Sequence, residues 1–199
     1  MNSANLYMGK FINMVWYLKR WDFYNMGVSS YYENRNSCFR NYGDLSLMNI
    51  AEIRDDLEKK KITRYILEAL PEWFGLSGSR EEYIKDSTGK LFFCAYSNEE
   101  PVGFLYLKET GKDTVELAVM GVLKEYHRKG IGKALFECAK KVICEKGYSF
   151  IQVKTVQMGR YEEYDNTNRF YLSLGFKELE VFPTLWDEWN PCQIYVMAI

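Results

Sequence analysis

Fourteen consecutive residues constrain this chain more than any others: Val122-Leu-Lys-Glu-Tyr-His-Arg-Lys-Gly-Ile-Gly-Lys-Ala-Leu135, a strand end, a basic glycine turn and a helix start in succession. Such an order forces a passage from sheet to helix within a few residues, and the residue types suit that passage to an anion. The first N–H groups of a helix lack intrahelical partners and carry partial positive charge, so anionic oxygens satisfy both at once. Gly130 and Gly132 let the backbone come close, while Arg128, Lys129 and Lys133 add full charges that a merely connecting turn does not need. Two familiar phosphate loops fail. The pattern Gly-x-x-x-x-Gly-Lys-Ser/Thr would need Gly at His127 and Ser or Thr at Ala134. Gly-x-Gly-x-x-Gly would need a third Gly at Leu135. An ordinary glycine-containing helix entry with solvated basic residues is the remaining alternative.

Composition narrows the class. At 199 residues, 47% hydrophobic and 27% charged, the chain can bury one substantial core. A net charge of −1 provides no global field for nucleic acid or an anionic membrane. The five cysteines (Cys38, Cys94, Cys138, Cys144, Cys192) are an odd set without Cys-x-x-Cys spacing, and His127 is the only histidine. Neither a metal site nor a disulfide framework is expected, and a reducing cytoplasm suits the set. No apolar run approaches the roughly 20 residues of a membrane span, and the N-terminus lacks the basic-then-apolar order of a signal peptide.

The chain punctuates itself into strands and helices. Residues 45–53 read as a strand, 55–70 as a charged helix stopped by Pro71, and 80–86 as a second helix. Runs 91–96 and 102–108 flank a hairpin turn, and 114–122 is the strand entering the basic turn. From Ile131, apolar Ala134, Leu135, Cys138, Ala139, Val142 and Ile143 recur at three and four residues, and Gly147 stops that helix. Residues 150–156 form a strand, 159–165 an extended loop, 166–174 a short helix, and 178–185 and 193–199 the last two strands.

His127-Arg-Lys-Gly-Ile-Gly132 after Val122 resembles the acyl-CoA pyrophosphate loop of the GNAT N-acetyltransferase superfamily, Gln/Arg-x-x-Gly-x-Gly/Ala, with His127 as its departure. That departure is expected to tune affinity, because the loop works mainly through backbone N–H groups. A second likeness is Phe170-Tyr-Leu-Ser-Leu-Gly-Phe176, similar to the family's Phe/Leu-Tyr-x-x-x-Gly-Phe segment, although Tyr164 stands where an Asn is common and Asn166 and Asn168 are out of register. The order of elements over residues 45–199 agrees as well. The segments Leu70–Gly75, Tyr126–Gly132 and Phe182–Glu188 together resemble a group of uncharacterised bacterial GNAT proteins. The resemblance implies an α/β (α+β) fold, the GNAT acyl-CoA N-acyltransferase fold: a mixed, mostly antiparallel central sheet flanked by helices, with strands 4 and 5 splayed to admit pantetheine. It implies acetyl-CoA as co-substrate, no metal, and a cofactor site at Met120, Gly121, Val122, His127, Arg128, Lys129, Gly130, Ile131, Gly132 and Lys133. It further implies that Tyr171 protonates the departing thiolate.

The chemistry asks for such groups. An alkylamine of pKa roughly 10.4 must lose a proton before it attacks a thioester. The oxyanion needs a donor, and the thiolate leaves more readily beside a positioned acid. Glu116, where several family members carry a Glu, is the base candidate; period-two alternation would put it on one face with Ala118, Met120 and Val122. It could instead pair with solvent or with Lys154, and a water chain could serve as base. His127, expected at the pyrophosphate, is the weaker candidate. Trp73 and Phe74 after the first helix, and Trp186, Asp187 and Glu188 between the last two strands, suit a cationic amine, or they are simply loop packing.

Residues 1–47 hold 11 aromatic residues and 7 of the 12 asparagines, with one candidate amphipathic helix, Leu6–Leu18. They are expected to form an extension of unknown role before a GNAT domain at 48–199. The expected function is acetyl transfer from acetyl-CoA to a primary amine of a small molecule or peptide within a ternary complex, by a monomer or homodimer; a non-catalytic acyl-CoA-binding regulatory module is the alternative. No nucleic-acid or membrane partner is expected.

Overall fold

The computed structural model describes residues 48–199; the extension, with its candidate helix, lies outside the described residues. Seven strands are present: β1 (Met48–Ile53), β2 (Leu91–Ser97), β3 (Glu100–Glu109), β4 (Thr114–Val122), β5 (Phe150–Val156), β6 (Lys177–Phe182) and β7 (Cys192–Ala198). Five helices accompany them: α1 (Asp56–Glu68), α2 (Pro71–Phe74), α3 (Ser77–Asp86), α4 (Ile131–Glu145) and α5 (Glu162–Ser173). The sheet runs β1-β2-β3-β4-β5-β7-β6. Every neighbouring pair is antiparallel except β4 and β5.

Two apolar layers hold the sheet between helices. On one face α1 buries Ile62, Ile66 and Leu67 against Phe92, Phe104 and Tyr106. Its start is set by Asp55, whose carboxylate accepts the Glu58 N–H at 2.7 Å. On the other face α4 buries Ile131, Ala134, Leu135, Cys138, Ala139 and Ile143, the stripe that its three-and-four spacing predicts, with Val142 at the margin and Phe136 buried in addition. Removing one such side chain, as in Leu135→Ala, costs about 2–5 kcal/mol by transfer and cavity terms.

Several expectations shift. Residues 71–74 form a short helix with Pro71 in its first turn, and α3 begins at Ser77 rather than Arg80. Residues 162–165, expected in an extended loop, are the first turn of α5, where three carboxylates (Glu162, Glu163, Asp165) complement the positive helix end. Strand β6 ends at Phe182, three residues before its expected limit, because Pro183 cannot continue a ladder. Strand β1 is described only from Met48.

Candidate active site

The basic turn leaves β4 through a short 3₁₀ turn at Lys124–Tyr126 and reaches α4 through two left-handed residues, Arg128 (φ 60°) and Gly130 (φ 81°). A non-glycine residue at such an angle costs energy, so Arg128 is held there by its surroundings: its guanidinium donates to Asn166 Oδ1 on α5 at 3.4 Å. No side chain caps α4. The first helical N–H with a backbone acceptor is that of Ala134, bonded to the Gly130 carbonyl at 3.0 Å. The N–H groups of Ile131, Gly132 and Lys133 therefore face outward without a protein partner among the described residues, with Arg128, Lys129 and Lys133 exposed around them. These donors and charges together have the makings of an anion cradle, of a size that suits a diphosphate.

Gly132 serves a second purpose. A Cβ there would lie 3.0 Å from Cζ of Phe170, so the missing side chain lets α5 pack against the start of α4. His127 does not aim at the cradle by both nitrogens: its Nε2 donates to the Val122 carbonyl at 2.7 Å, which fixes that nitrogen as protonated. The Trp73 ring meets its imidazole edge-on at 5.8 Å between centroids.

Strands β4 and β5 pair only at Thr114↔Phe150, Val115↔Ile151 and Glu116↔Gln152. Beyond Glu116 the two part, leaving the β5-facing edge of β4 without a strand partner up to Val122. On its other edge β4 stays paired with β3, but with an irregularity: Leu107 opposes Leu117 while Tyr106 opposes Val119. Ala118 is thus the extra residue of a bulge, and it reverses the alternation. Val115 and Leu117 pack in the α4 layer, Val119 in the α1 layer, and Met120 and Val122 again against the α4 layer. Period-two reading had Glu116 sharing a face with Met120 and Val122; the bulge instead puts it on the α1 face with Val119 and Gly121. Gly121 lies so close under α1 that a Cβ would sit 2.9 Å from Cγ2 of Ile66.

Glu116 is ion-paired. Its Oε2 accepts from Lys154 Nζ at 2.7 Å, with side chains 12% and 27% exposed respectively. Burial above all raises the Tyr83 and Tyr106 phenols, with smaller contributions from Glu82 and Asp86 respectively and then from Glu116, and burial pushes the nearby Cys192 thiol up to about 11. Tyr83, Tyr106 and Cys192 around this carboxylate carry no sequence signal, because they come from α3, β3 and β7.

Tyr171 lies on α5 at 6% exposure, with its ring against Phe170, Phe176 and Tyr195. Burial holds its hydroxyl well above the ordinary phenol range, with a further contribution from Tyr164, and that hydroxyl makes no hydrogen bond to a described residue. One turn earlier, buried Asn168 clamps the helix in place. Its amide donates to the carbonyls of Val156 at 2.9 Å and Tyr164 at 2.6 Å, and its oxygen accepts from Tyr195 at 2.7 Å.

The aromatic candidates separate. Trp73 donates its indole N–H to Thr167 at 3.2 Å, and its carbonyl accepts from Tyr164 at 3.0 Å, so it ties α2 to α5. Phe74 packs edge-on against Tyr83. In the loop between β6 and β7, Trp186 is exposed, and so, more fully, is Trp189 of the same segment. Asp187 organises that loop: it accepts from the Asn190 side chain and from the N–H groups of Trp189 and Asn190, and these bonds, Asn190's first, hold its carboxyl below the usual range. Glu188 is exposed beside it. Among the described residues no group of three or more metal-ligating side chains converges, and no helix is long and apolar enough to cross a membrane.

A left-handed glycine turn at an uncapped helix, beside two parting parallel strands, marks an α/β domain whose open groups face the split in its sheet. A family model described as an acetyltransferase (GNAT) domain matches residues 88–178. A curated relative, an uncharacterised N-acetyltransferase of Chlorobaculum tepidum, is 29% identical over 116 residues, which is 57% of this chain; the match spans 62% of that protein's length. A GNAT-family protein of Desulfovibrio desulfuricans superposes with a TM-score of 0.65 at 16% identity, over 76% of this chain and 98% of its own. The PaiA N-acetyltransferase of Thermoplasma acidophilum, solved with coenzyme A, gives 0.58 at 18% identity over 75% of this chain and 99% of its own. Residues 88–178 are thus similar to the GNAT acetyltransferase domain, and the fold of the described residues is shared with solved GNAT proteins.

Proposed function

We propose that residues 48–199 form an acetyltransferase domain that moves an acetyl group from acetyl-CoA to a primary amine of a small molecule or peptide. The observation that carries this reading is the set of outward N–H groups on Ile131, Gly132 and Lys133, ringed by three cations and lying beside the gap where β4 and β5 part. The diphosphate of acetyl-CoA binds at Arg128–Lys133, and its pantetheine arm runs along the unpaired edge of β4 past Val122, Gly121 and Met120. Backbone N–H groups on that edge donate to the thioester oxygen. The amine nitrogen attacks the carbonyl carbon, the C–S bond breaks, Glu116 or water takes the nitrogen's proton, and Tyr171 gives one to the thiolate. A phenol kept neutral by burial is the form that can donate. Phe74, Trp186 and Glu188 line the acceptor side, with Trp73 and Asp187 shaping the two segments that carry them.

A second reading, acyl-CoA binding without turnover, draws on the ion pair that already engages Glu116. One experiment separates the two: thiol release from acetyl-CoA against polyamines, aminoglycosides, amino acids and lysine peptides, beside calorimetric titration of acetyl-CoA. Amine-dependent release is expected. Binding without release favours the second reading, and absence of binding removes the cradle assignment.

A further inference from the structure

Among the described residues, one side-chain hydrogen bond joins β4 to β5, and it stands where their ladder ends. Glu116↔Gln152 is the last backbone pair. Lys154, two residues farther along β5 and so on the same face as Gln152, reaches back across the fork to Glu116 Oε2 at 2.7 Å. Both side chains are largely withdrawn from solvent. A pair so placed is more than surface decoration, because exposed pairs hold long side chains weakly whereas a half-buried one is screened less and fixes geometry. With one oxygen engaged, Glu116 cannot rotate freely, and Oε1 is the oxygen left for an incoming proton. Glu116 is followed within two residues by the bulge at Ala118, so the backbone offers it little ladder support on the downstream side. Lys154 itself is anchored through its strand: β5 pairs with β7 at Lys154↔Ile194, and Val153 and Thr155 on either side of it are buried.

We propose that Lys154 is a positioning residue for acetyl transfer: its ammonium holds the Glu116 carboxylate across the β4–β5 fork with one oxygen presented to the acceptor nitrogen. The proposal rests on the transferase reading above and on Glu116 as its base. It assigns to β5 a task separate from lining the gap, and it predicts that Lys154 matters only through Glu116.

A double-mutant cycle tests this with the amine that gives the fastest thiol release. Lys154→Met is expected to lower kcat about tenfold, in keeping with the cost of a misplaced catalytic group, while KM for acetyl-CoA stays within twofold. In a Glu116→Gln background the same change is expected to alter kcat by less than twofold, since the group it positions is gone. Lys154→Arg, which keeps a cation within reach, is expected to recover at least half of the lost kcat, and it carries the test if the Met variant is insoluble. Equal losses from Lys154→Met in both backgrounds, no loss in either, or an Arg variant as poor as Met would overturn the proposal while leaving the transferase intact. A parent enzyme that binds acetyl-CoA yet transfers to no amine removes the transferase reading, and the positioning role falls with it.

Discussion

At the scale of single residues, the two most informative positions are Gly130 and Tyr171. Gly130 sits at φ 81° as the N-cap of α4, a conformation that costs an L-residue roughly 1–2 kcal/mol. Gly130→Ala is expected to lower stability by about that amount and to raise KM for acetyl-CoA with kcat at saturation little changed, as steady-state kinetics would report. A kcat loss at unchanged KM would assign the loop to the chemical step instead. Tyr171→Phe removes a hydroxyl that bonds to no described residue, so the thermal midpoint should hold. Turnover should fall by about 10²-fold if that hydroxyl is the acid; unchanged turnover across pH would refute the role. Both positions were legible in the sequence, Gly130 from turn chemistry and Tyr171 from its segment. The partners of Glu116 were legible only in part: Lys154 lies in a strand that reading could pair with β4, whereas Tyr83, Tyr106 and Cys192 arrive from elements whose meeting no local pattern encodes.

At the scale of elements, periodicity found β2, β3, β4, β5 and α4 to within about two residues, because each presents a buried face whose spacing is its own signature. It failed where a neighbour decides. Residues 162–165 join α5 although they are polar and acidic, since the helix is drawn out by Asn168 gripping Val156 and by Tyr164 reaching Trp73. The bulge in β4 was invisible because burial still alternates along the strand (Val115, Leu117, Val119 and Gly121 are all buried) while the layer that buries them changes. The packing of α1 on β4 gives a test. Gly121→Ala would bring a methyl within 2.9 Å of Ile66 and 3.3 Å of Leu70, and overpacking of this kind costs about 1–3 kcal/mol. Chemical denaturation should show that loss, and an unchanged midpoint would mean that α1 shifts freely.

At the scale of the whole molecule, the described part of the chain is one sheet sealed by two layers, and tyrosines are built into both. Burial holds the phenols of Tyr106 and Tyr171 high and pushes those of Tyr164 and Tyr195 up to about 12. A group with a raised folded value contributes stability that is fully present below its unfolded value, about 10 for tyrosine, and loses it as pH rises through the folded one. The fold should therefore be insensitive to these groups at neutral pH and unfold cooperatively above about pH 10, with tyrosinate absorbance and loss of ellipticity rising together. Absorbance that rose well before the ellipticity fell would mean that the phenols ionise in the folded state. The extra residue at Ala118 has a consequence at this scale too. A strand carrying one inserted residue is two strands in series, each in phase with a different layer, and everything downstream inherits the shift. Removing Ala118 would erase the bulge and leave a regular ladder in which Val119 and Gly121 keep Tyr106 and Phe104 as partners, whereas inserting a residue after Val119 would turn Gly121 out from under α1 and push the turn at 127–132 along by about 3.3 Å. This strand should thus absorb the loss of one residue at the bulge better than a gain beside it, and scanning it with one-residue deletions and insertions would trace where the two phases meet.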